Sequence, residues 1–388
     1  MTDAASGAGA APASVAEQFS RGEPIVVEVD HIERALADLW KAASADGGGT
    51  VSRAALWNVV VPTRAPDLER ARKVVDELAP LMPARVLMLV EEPEMPASEA
   101  EDDVRATIES NIVARSSGAR VVYSEEITLR GRRGDVRFGS LVRALLVPGL
   151  PTATLWADAT MPEALLRRQL LAVTDRLVLD TGSCTRPRQL IEVQRCAELA
   201  GDALAVADLG WLRLASFRLL FAGLFDAPVG GAPLDGARRV TIRHRAGAEP
   251  SALLLAAWLA STLGWLFSSA EGSPPAPGAG ERYRFDRAEK PSVEVALQLS
   301  PGECGTSGIV ALELEATFGG GEALFAVRRT EQNHATLTLP IAPPRVVKLD
   351  SRRDAELCVA ALGPAGRDPL FVRCLALASR LASSGAPA

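Results

Sequence analysis

The sequence predicts an α/β domain first, with a mixed or mostly parallel sheet flanked by helices. An α+β domain with a largely antiparallel sheet follows. Three observations carry this expectation. Before residue 226, short apolar runs alternate with stretches of helical periodicity, which is the grammar of βα units. Beyond the Gly/Pro-rich stretch APVGGAPLDG (227–236), several strands follow one another with no long helix between them. The chain has 388 residues, and single cores stop growing at about 250–300. The expected divisions are a disordered leader at 1–24, a first domain at 25–230 and a second at 231–388. A flexible Ser/Pro/Gly loop is expected at 268–281.

Taken in order, MTDAASGAGAAPASVAEQFS lacks a basic start and a long apolar core, so it reads as a leader and not as a signal peptide. HIERALADLWK sets Ile32, Leu36, Leu39 and Trp40 at helical spacing. Asp30 and Glu33 give it a capping-box-like start. RAALWNVVVPT is a strand expected to stop at Pro62. PDLERARKVVDELA is a helix with Leu68, Ala71, Val75 and Leu78 on one face, and PARVLMLVEE is a second strand. The acidic run EEPEMPASEAEDD (91–103) reads as a solvated loop.

A strand in ARVVYSEEITLRG follows, then a helix in LVRALLV, a strand in PTATLWAD and a helix in MPEALLRRQLLAV. DRLVLDTG is a strand, and RPRQLIEVQRCAELAG a helix with Leu190, Val193, Ala197 and Ala200 aligned. In the second half ARRVTIRHR is a strand and SALLLAAWLASTLGW a buried helix. RYRFD, SVEVALQLS, GIVALELEATF, EALFAVRRT and ATLTLPI are strands, and helices near 351–363 and 368–384 finish the chain.

A formal charge of −6 and a pI near 5.4 argue against nucleic acid or an anionic membrane as the main partner. The most apolar segment, 252–267, is too short to span a bilayer comfortably. Five cysteines with no CxxC spacing suit reduced, buried thiols in a cytoplasmic protein. GxGxxG, Walker A, GxSxG and HExxH patterns do not occur. His31, His244 and His334 are dispersed, which gives no basis for a metal site. The turn DTGSC (180–184) follows a strand and precedes a helix. A tight turn needing Gly182 is favoured there over an anion site. Glu125 and Glu126 point to opposite faces of a strand and, like Asp102–Asp103, read as solvated. No residue is therefore assigned to catalysis, a cofactor or a metal.

The unusual stretch is DLGWLRLASFRLLFAGLFD (208–226), read as one helix capped by Asp208. Trp211, Phe217, Phe221, Leu224 and Phe225 cover nearly its whole circumference, with Arg213 and Arg218 among them. Such a helix must lie in the interior or under a partner. An unpaired buried charge is costly. The arginines therefore either pair with carboxylates such as Asp208 or Asp226, or at least one reaches a surface used by a partner, and one is expected to emerge. Trp211, Arg213, Phe217 and Arg218 are the partner-interface candidates.

This helix resembles, together with DRLVLDT (175–181) and ALLLAAWLASTLGW (252–265), the glucose-6-phosphate dehydrogenase assembly protein (OpcA) family. VPGLPTATLWAD is similar to that family's strand after a Leu-Pro-rich turn, and RAALWNVVV and MPARVLMLV match its early strands more loosely. The likeness spans roughly residues 30–385, and the Trp/Arg helix is its most specific part. It implies a non-catalytic cytoplasmic protein that binds glucose-6-phosphate dehydrogenase and favours its active oligomer or conformer. Two departures stand out. Tyr123 and Ser124 occupy a strand where many relatives carry cysteines, which argues against thiol control, and Phe217 stands where a second Trp is common. The alternative is an enzyme or sensor that binds a nucleotide or sugar phosphate at the switch point of the sheet, against which the missing phosphate loop counts.

Overall fold

The computed structural model describes residues 19–46, 51–53, 55–92, 104–114, 121–158, 162–201, 204–271, 280–302, 304–363 and 368–384. The first half runs β1 (Phe19–Arg21), β2 (Ile25–Val27), α1 (Ile32–Asp46), β3 (Val51–Arg53), β4 (Trp57–Arg64), α2 (Leu68–Leu78), β5 (Ala84–Glu92), β6 (Arg105–Ala114) and β7 (Val121–Arg132). It continues through α3 (Arg137–Leu145), β8 (Thr152–Trp156), α4 (Ala164–Leu171), β9 (Arg176–Leu179), α5 (Gln189–Leu199) and β10 (Ala205–Asp208).

Six of these strands are parallel neighbours in the order β7-β5-β4-β8-β9-β10. Strand order reverses between β4 and β8, as in a doubly wound sheet. Antiparallel β6 extends the sheet beyond β7 and carries β1 and β2 on its outer side. The central strands are apolar on both faces because both are covered. On one face Val59, Val61, Val86 and Met88 meet Leu68, Ala71, Val75 and Leu78 of α2. On the other, Val60, Leu87 and Leu129 share a core with Ile32 and Leu36 of α1 and Phe138 of α3. The period-2 alternation decides which side chain faces which helix.

Several expectations are corrected here. Residues 19–21 of the supposed leader form β1 on β6. Helix α1 begins at Ile32 after a single turn of 3-10 helix, Val29–His31, whose cap residue is Glu28 and makes no side-chain capping bond. Strand β4 runs through Pro62 to Arg64. Its pairing with β8 covers only Asn58–Val60, so the strand is an edge on that side where proline falls. The segment at 105–129 is two paired strands rather than one.

Glu125 and Glu126 are buried, because β7 lies inside a sheet covered on both sides. Glu125 stands in register with Arg85 and accepts its Nε–H at 2.7 Å. Most of the acidic run, with Asp102–Asp103, lies outside the described residues.

After β10 come α6 (Leu209–Arg213), α7 (Ala215–Gly223), α8 (Ala232–Asp235), β11 (Ala237–His244), α9 (Glu249–Leu263), β12 (Leu266–Glu271), β13 (Arg282–Arg287) and β14 (Lys290–Leu299). The chain ends with β15 (Ile309–Phe318), β16 (Gly321–Glu331), β17 (His334–Leu339), β18 (Ala342–Lys348), α10 (Asp354–Leu362) and α11 (Pro369–Ser384). The second sheet has the order β12-β13-β14-β11-β15-β16-β17-β18, and only β11 and β14 pair in parallel. Its first strand occupies part of the expected loop at 268–281, of which 272–279 lie outside the described residues.

Helix α9 is buried on every side from Pro250 to Ala260, as its uninterrupted apolar sequence requires. Helix α11 packs beside it and adds Phe371, Leu375 and Ala378 to the same core. Helix α10 returns to the first sheet, where Ala355, Leu357 and Cys358 join the cluster under α2. Among the described residues no helix is long and apolar enough to cross a membrane.

Candidate functional site: an arginine-lined cleft

In a sheet of this order, ligands enter a crevice between the carboxyl ends of β4 and β8. Here Thr63 Oγ1 donates to Asp158 Oδ2 at 2.8 Å and ties those two strand ends together. The connection from β4 into α2 reads Arg64-Ala65-Pro66-Asp67, with no glycine, and Arg64 pairs with Asp67. Burial pushes the Asp158 carboxyl up to about 6, against the Thr63 hydrogen bond, and burial likewise raises Glu91 at the end of β5. A pyrophosphate needs close backbone approach through glycine and a positive field. This crevice offers a proline where close approach needs glycine, and it sets Asp158 and Asp67 beside Arg64 and Arg70, so its field is mixed.

The turn and helix beyond it are organised by three carboxylates. Asp208 ends β10 and caps α6, accepting from Trp211 N–H at 2.6 Å. It also accepts from Thr181 N–H at 2.8 Å and from the Thr181 hydroxyl at 2.6 Å, which fixes the 181–183 turn against the helix. Burial outweighs these donors and pushes Asp208 up to about 6. Asp180 accepts from Gly182 N–H at 3.0 Å, from Arg70 at 3.0 Å and from Arg213. Asp354, at the start of α10, takes the other side of the Arg213 guanidinium at 2.9 Å. Burial alone would lower the Arg213 pKa, but Asp180 and Asp354 outweigh it and hold the guanidinium above its ordinary range.

Two glycines make this packing possible. A Cβ on Gly182 would collide with Arg213 Nη1, and one on Gly210 would collide with Thr181 Oγ1 and meet Gly182 N at 2.6 Å.

The expected single helix breaks at Leu214, which separates α6 from α7. Trp211 and Phe217 both turn inward as a result, at 3% and 0% exposure. Trp211 packs 5.8 Å from Phe371, Phe221 lies 6.4 Å from Trp258, and Phe225 lies 5.2 Å from Phe325. The aromatic residues thus join the helices and the second sheet in one core. As interface candidates Trp211 and Phe217 are corrected: they present no surface for a partner. Arg213 pairs with Asp180 and Asp354 and not with Asp208 or Asp226. Asp208 is occupied by backbone donors, and Asp226 is exposed beyond the end of α7.

Arg218 is different. Its guanidinium carbon lies 3.3 Å from the centroid of the Trp211 ring, and Nη2 donates to the Trp211 carbonyl at 3.2 Å. Asp368 instead accepts from Trp211 Nε1 at 2.9 Å. Arg218 Nε is buried without an acceptor among the described residues, and burial lowers the Arg218 pKa to about 10.

Arg218 lines a cleft of about 370 Å³ together with Arg213, Ser216, Arg329, Ser351 and Arg352. Arg329 is 8% exposed, and its Nη1 donates to the Gln332 carbonyl. Arg352 pairs with Asp350 at 3.1 Å. The contributions of Arg329 and Arg352 were missed from the sequence because neither lies at a recognisable spacing from Arg218. The described His, Cys, Asp and Glu residues form no group of three able to hold a metal.

Two family models match this chain. One, described as the glucose-6-phosphate dehydrogenase subunit N-terminal domain, covers residues 75–195. The other, the C-terminal domain of the same subunit, covers 204–375. A provisionally named OxPP cycle protein OpcA from Nostoc punctiforme is 31% identical over 195 residues, 50% of this chain and 40% of that protein. Its Synechocystis counterpart is 29% identical over 203 residues, 52% of this chain and 41% of that protein. The matched stretch therefore spans about two fifths of these relatives' length. Among solved structures, an oxidoreductase from Sinorhizobium meliloti aligns with a TM-score of 0.47 at 12% identity, covering 86% of this chain and 97% of that one. A Synechocystis biliverdin reductase aligns at 0.44 and 12% identity, covering 85% and 99%.

Proposed function

The chain belongs to the OpcA family of glucose-6-phosphate dehydrogenase assembly proteins, and from that premise we propose that it binds this dehydrogenase in the cytoplasm and favours its active oligomer or conformer. Its place is then the oxidative pentose phosphate pathway. It acts there without a catalytic group of its own. The observation that carries the reading is the pair of family matches, which together take in β5–β10 of the first sheet, the α6–α7 segment and the whole second sheet.

A binding protein activates only by preferring one state of its partner. About 1.4 kcal/mol of preference moves that equilibrium tenfold, which a modest interface supplies. With Trp211 and Phe217 inside, the part of α7 available for docking is its outer strip, where Leu219 is 74% exposed next to the half-buried Arg218. Arginine is enriched at interface centres, and the exposed Leu219 beside it adds apolar area to bury.

Light scattering on the mixed, purified proteins tests this. A complex heavier than either component supports it, and Leu219→Glu is expected to weaken that complex while leaving the fold intact. Separate elution of the two proteins at micromolar concentration argues against the reading.

A further inference from the structure

We propose that the cleft between α7, β16 and the 350–352 segment is a binding site for a small phosphate-bearing anion. Among the described residues its lining carries four guanidinium groups, Arg213, Arg218, Arg329 and Arg352, of which Arg329 is already engaged, and one carboxylate, Asp350. Asp180 and Asp354 balance Arg213 from behind, and Asp350 balances Arg352. Arg218 has no carboxylate within ion-pair distance among the described residues. Asp368, the acid that acts on it from nearby, is held by the Trp211 indole.

A cation withdrawn from water with no counterion is costly, and an anion entering the cleft would offset that cost. The donors are also prepared. Arg218 is stacked on Trp211, and among the described residues it makes a single hydrogen bond, through Nη2. Arg329 is fixed by the Gln332 carbonyl and stands 5.5 Å from the Phe217 ring centroid.

The arginines reach the cleft from separate parts of the chain, α6, α7, β16 and the segment after β18. Such an arrangement offers N–H groups from several directions. A tetrahedral dianion can accept from several directions, whereas a single planar carboxylate is satisfied by one fork. The hydroxyls of Thr306 and Ser351 complete the polar lining, and a volume of about 370 Å³ suits a small metabolite. The site does not depend on the dehydrogenase reading.

The test is calorimetric titration of the full chain with inorganic phosphate and, separately, with glucose 6-phosphate as a hexose monophosphate. Saturable one-to-one binding is expected, weakened about tenfold or more by Arg218→Gln and by Arg352→Gln. Arg352 is half-exposed, so its variant keeps the test open if Arg218→Gln does not fold. Equal affinity for the two probes supports the proposal with free phosphate as ligand, and tighter hexose phosphate binding supports it with a sugar phosphate. Absence of saturation by about 10 mM of either probe overturns it. So does binding that both variants leave unchanged. If neither probe binds and Arg352→Gln instead weakens the complex with the dehydrogenase, the cleft receives a protein carboxylate and the proposal fails.

Discussion

Asp180 and Arg213 form an ion pair in which both side chains are almost wholly withdrawn from water, at 2% and 6% exposure. The pair ties the end of β9 to α6, and Arg70 brings α2 to the same carboxylate. Removing one member of a buried pair strands the other charge, at about 3–5 kcal/mol. In Asp180→Asn, Arg213 keeps only the part-exposed Asp354, so unfolding free energy is expected to fall by about 3 kcal/mol, the low end of that range. Asp354→Asn, on the 37% exposed side of Arg213, is expected to cost about 1 kcal/mol or less. Urea unfolding of the two variants checks the difference, and equal losses contradict it.

The approach of Gly210 to the 181–183 turn leaves no room for a methyl group. In Gly210→Ala the new carbon meets the backbone nitrogen of Gly182, which cannot rotate away as a side-chain tip could. Overpacking of this kind costs about 1–3 kcal/mol. Thermal unfolding should show a clear drop. A variant as stable as the parent would mean that the turn and α6 are further apart.

Asp158 gives a pH signature. Burial raises its folded-state pKa to about 6, above the unfolded value near 3.9. Between these values the folded protein keeps a proton that the unfolded chain has released. The contribution is full below about pH 4 and is lost as pH rises through about 6, amounting to at most about 3 kcal/mol. Asp208 is raised to about 6 as well and acts in the same direction, so Asp158→Asn should remove only part of the decline. Unfolding free energies at pH 4.5 and 7 measure this. Parallel behaviour of parent and variant would remove Asp158 from the account.

Burial raises the thiol pKa of Cys184, pushes Cys196 and Cys358 up to about 12 and pushes Cys374 up to about 11. Thiolates are the reactive species, so these four should react slowly in the native state. Cys304, half-exposed, should account for the fast phase with a chromogenic disulfide, and Cys304→Ser should abolish it. Rapid labelling of several thiols would contradict the packing described here.

Much of the fold was legible because strand and helix periods differ, and long apolar elements announce themselves. Helix α9 and the α2 face, with Leu68, Ala71, Val75 and Leu78, needed no tertiary information. What stayed hidden depends on partners distant in sequence. Strand β6 is recognisable mainly through its pairing with β7, and Pro62 fits a strand because β8 stops short beside it. Glu125 reads as solvated until Arg85 is placed opposite it. The aromatic helix 208–226 was readable as buried or covered, but not as two pieces hinged at Leu214. The cleft was the least legible part, since Arg218, Arg329 and Arg352 converge only through the packing of the two halves.

Glucose-6-phosphate dehydrogenase activity, followed at fixed enzyme and sub-saturating substrate while this protein is titrated in, tests the central claim most directly. The account predicts a rise in rate that saturates at a fixed ratio of the two proteins, with a lower KM or a larger active oligomer at the plateau. A flat titration with the cognate enzyme, at concentrations where both proteins are folded, would contradict it.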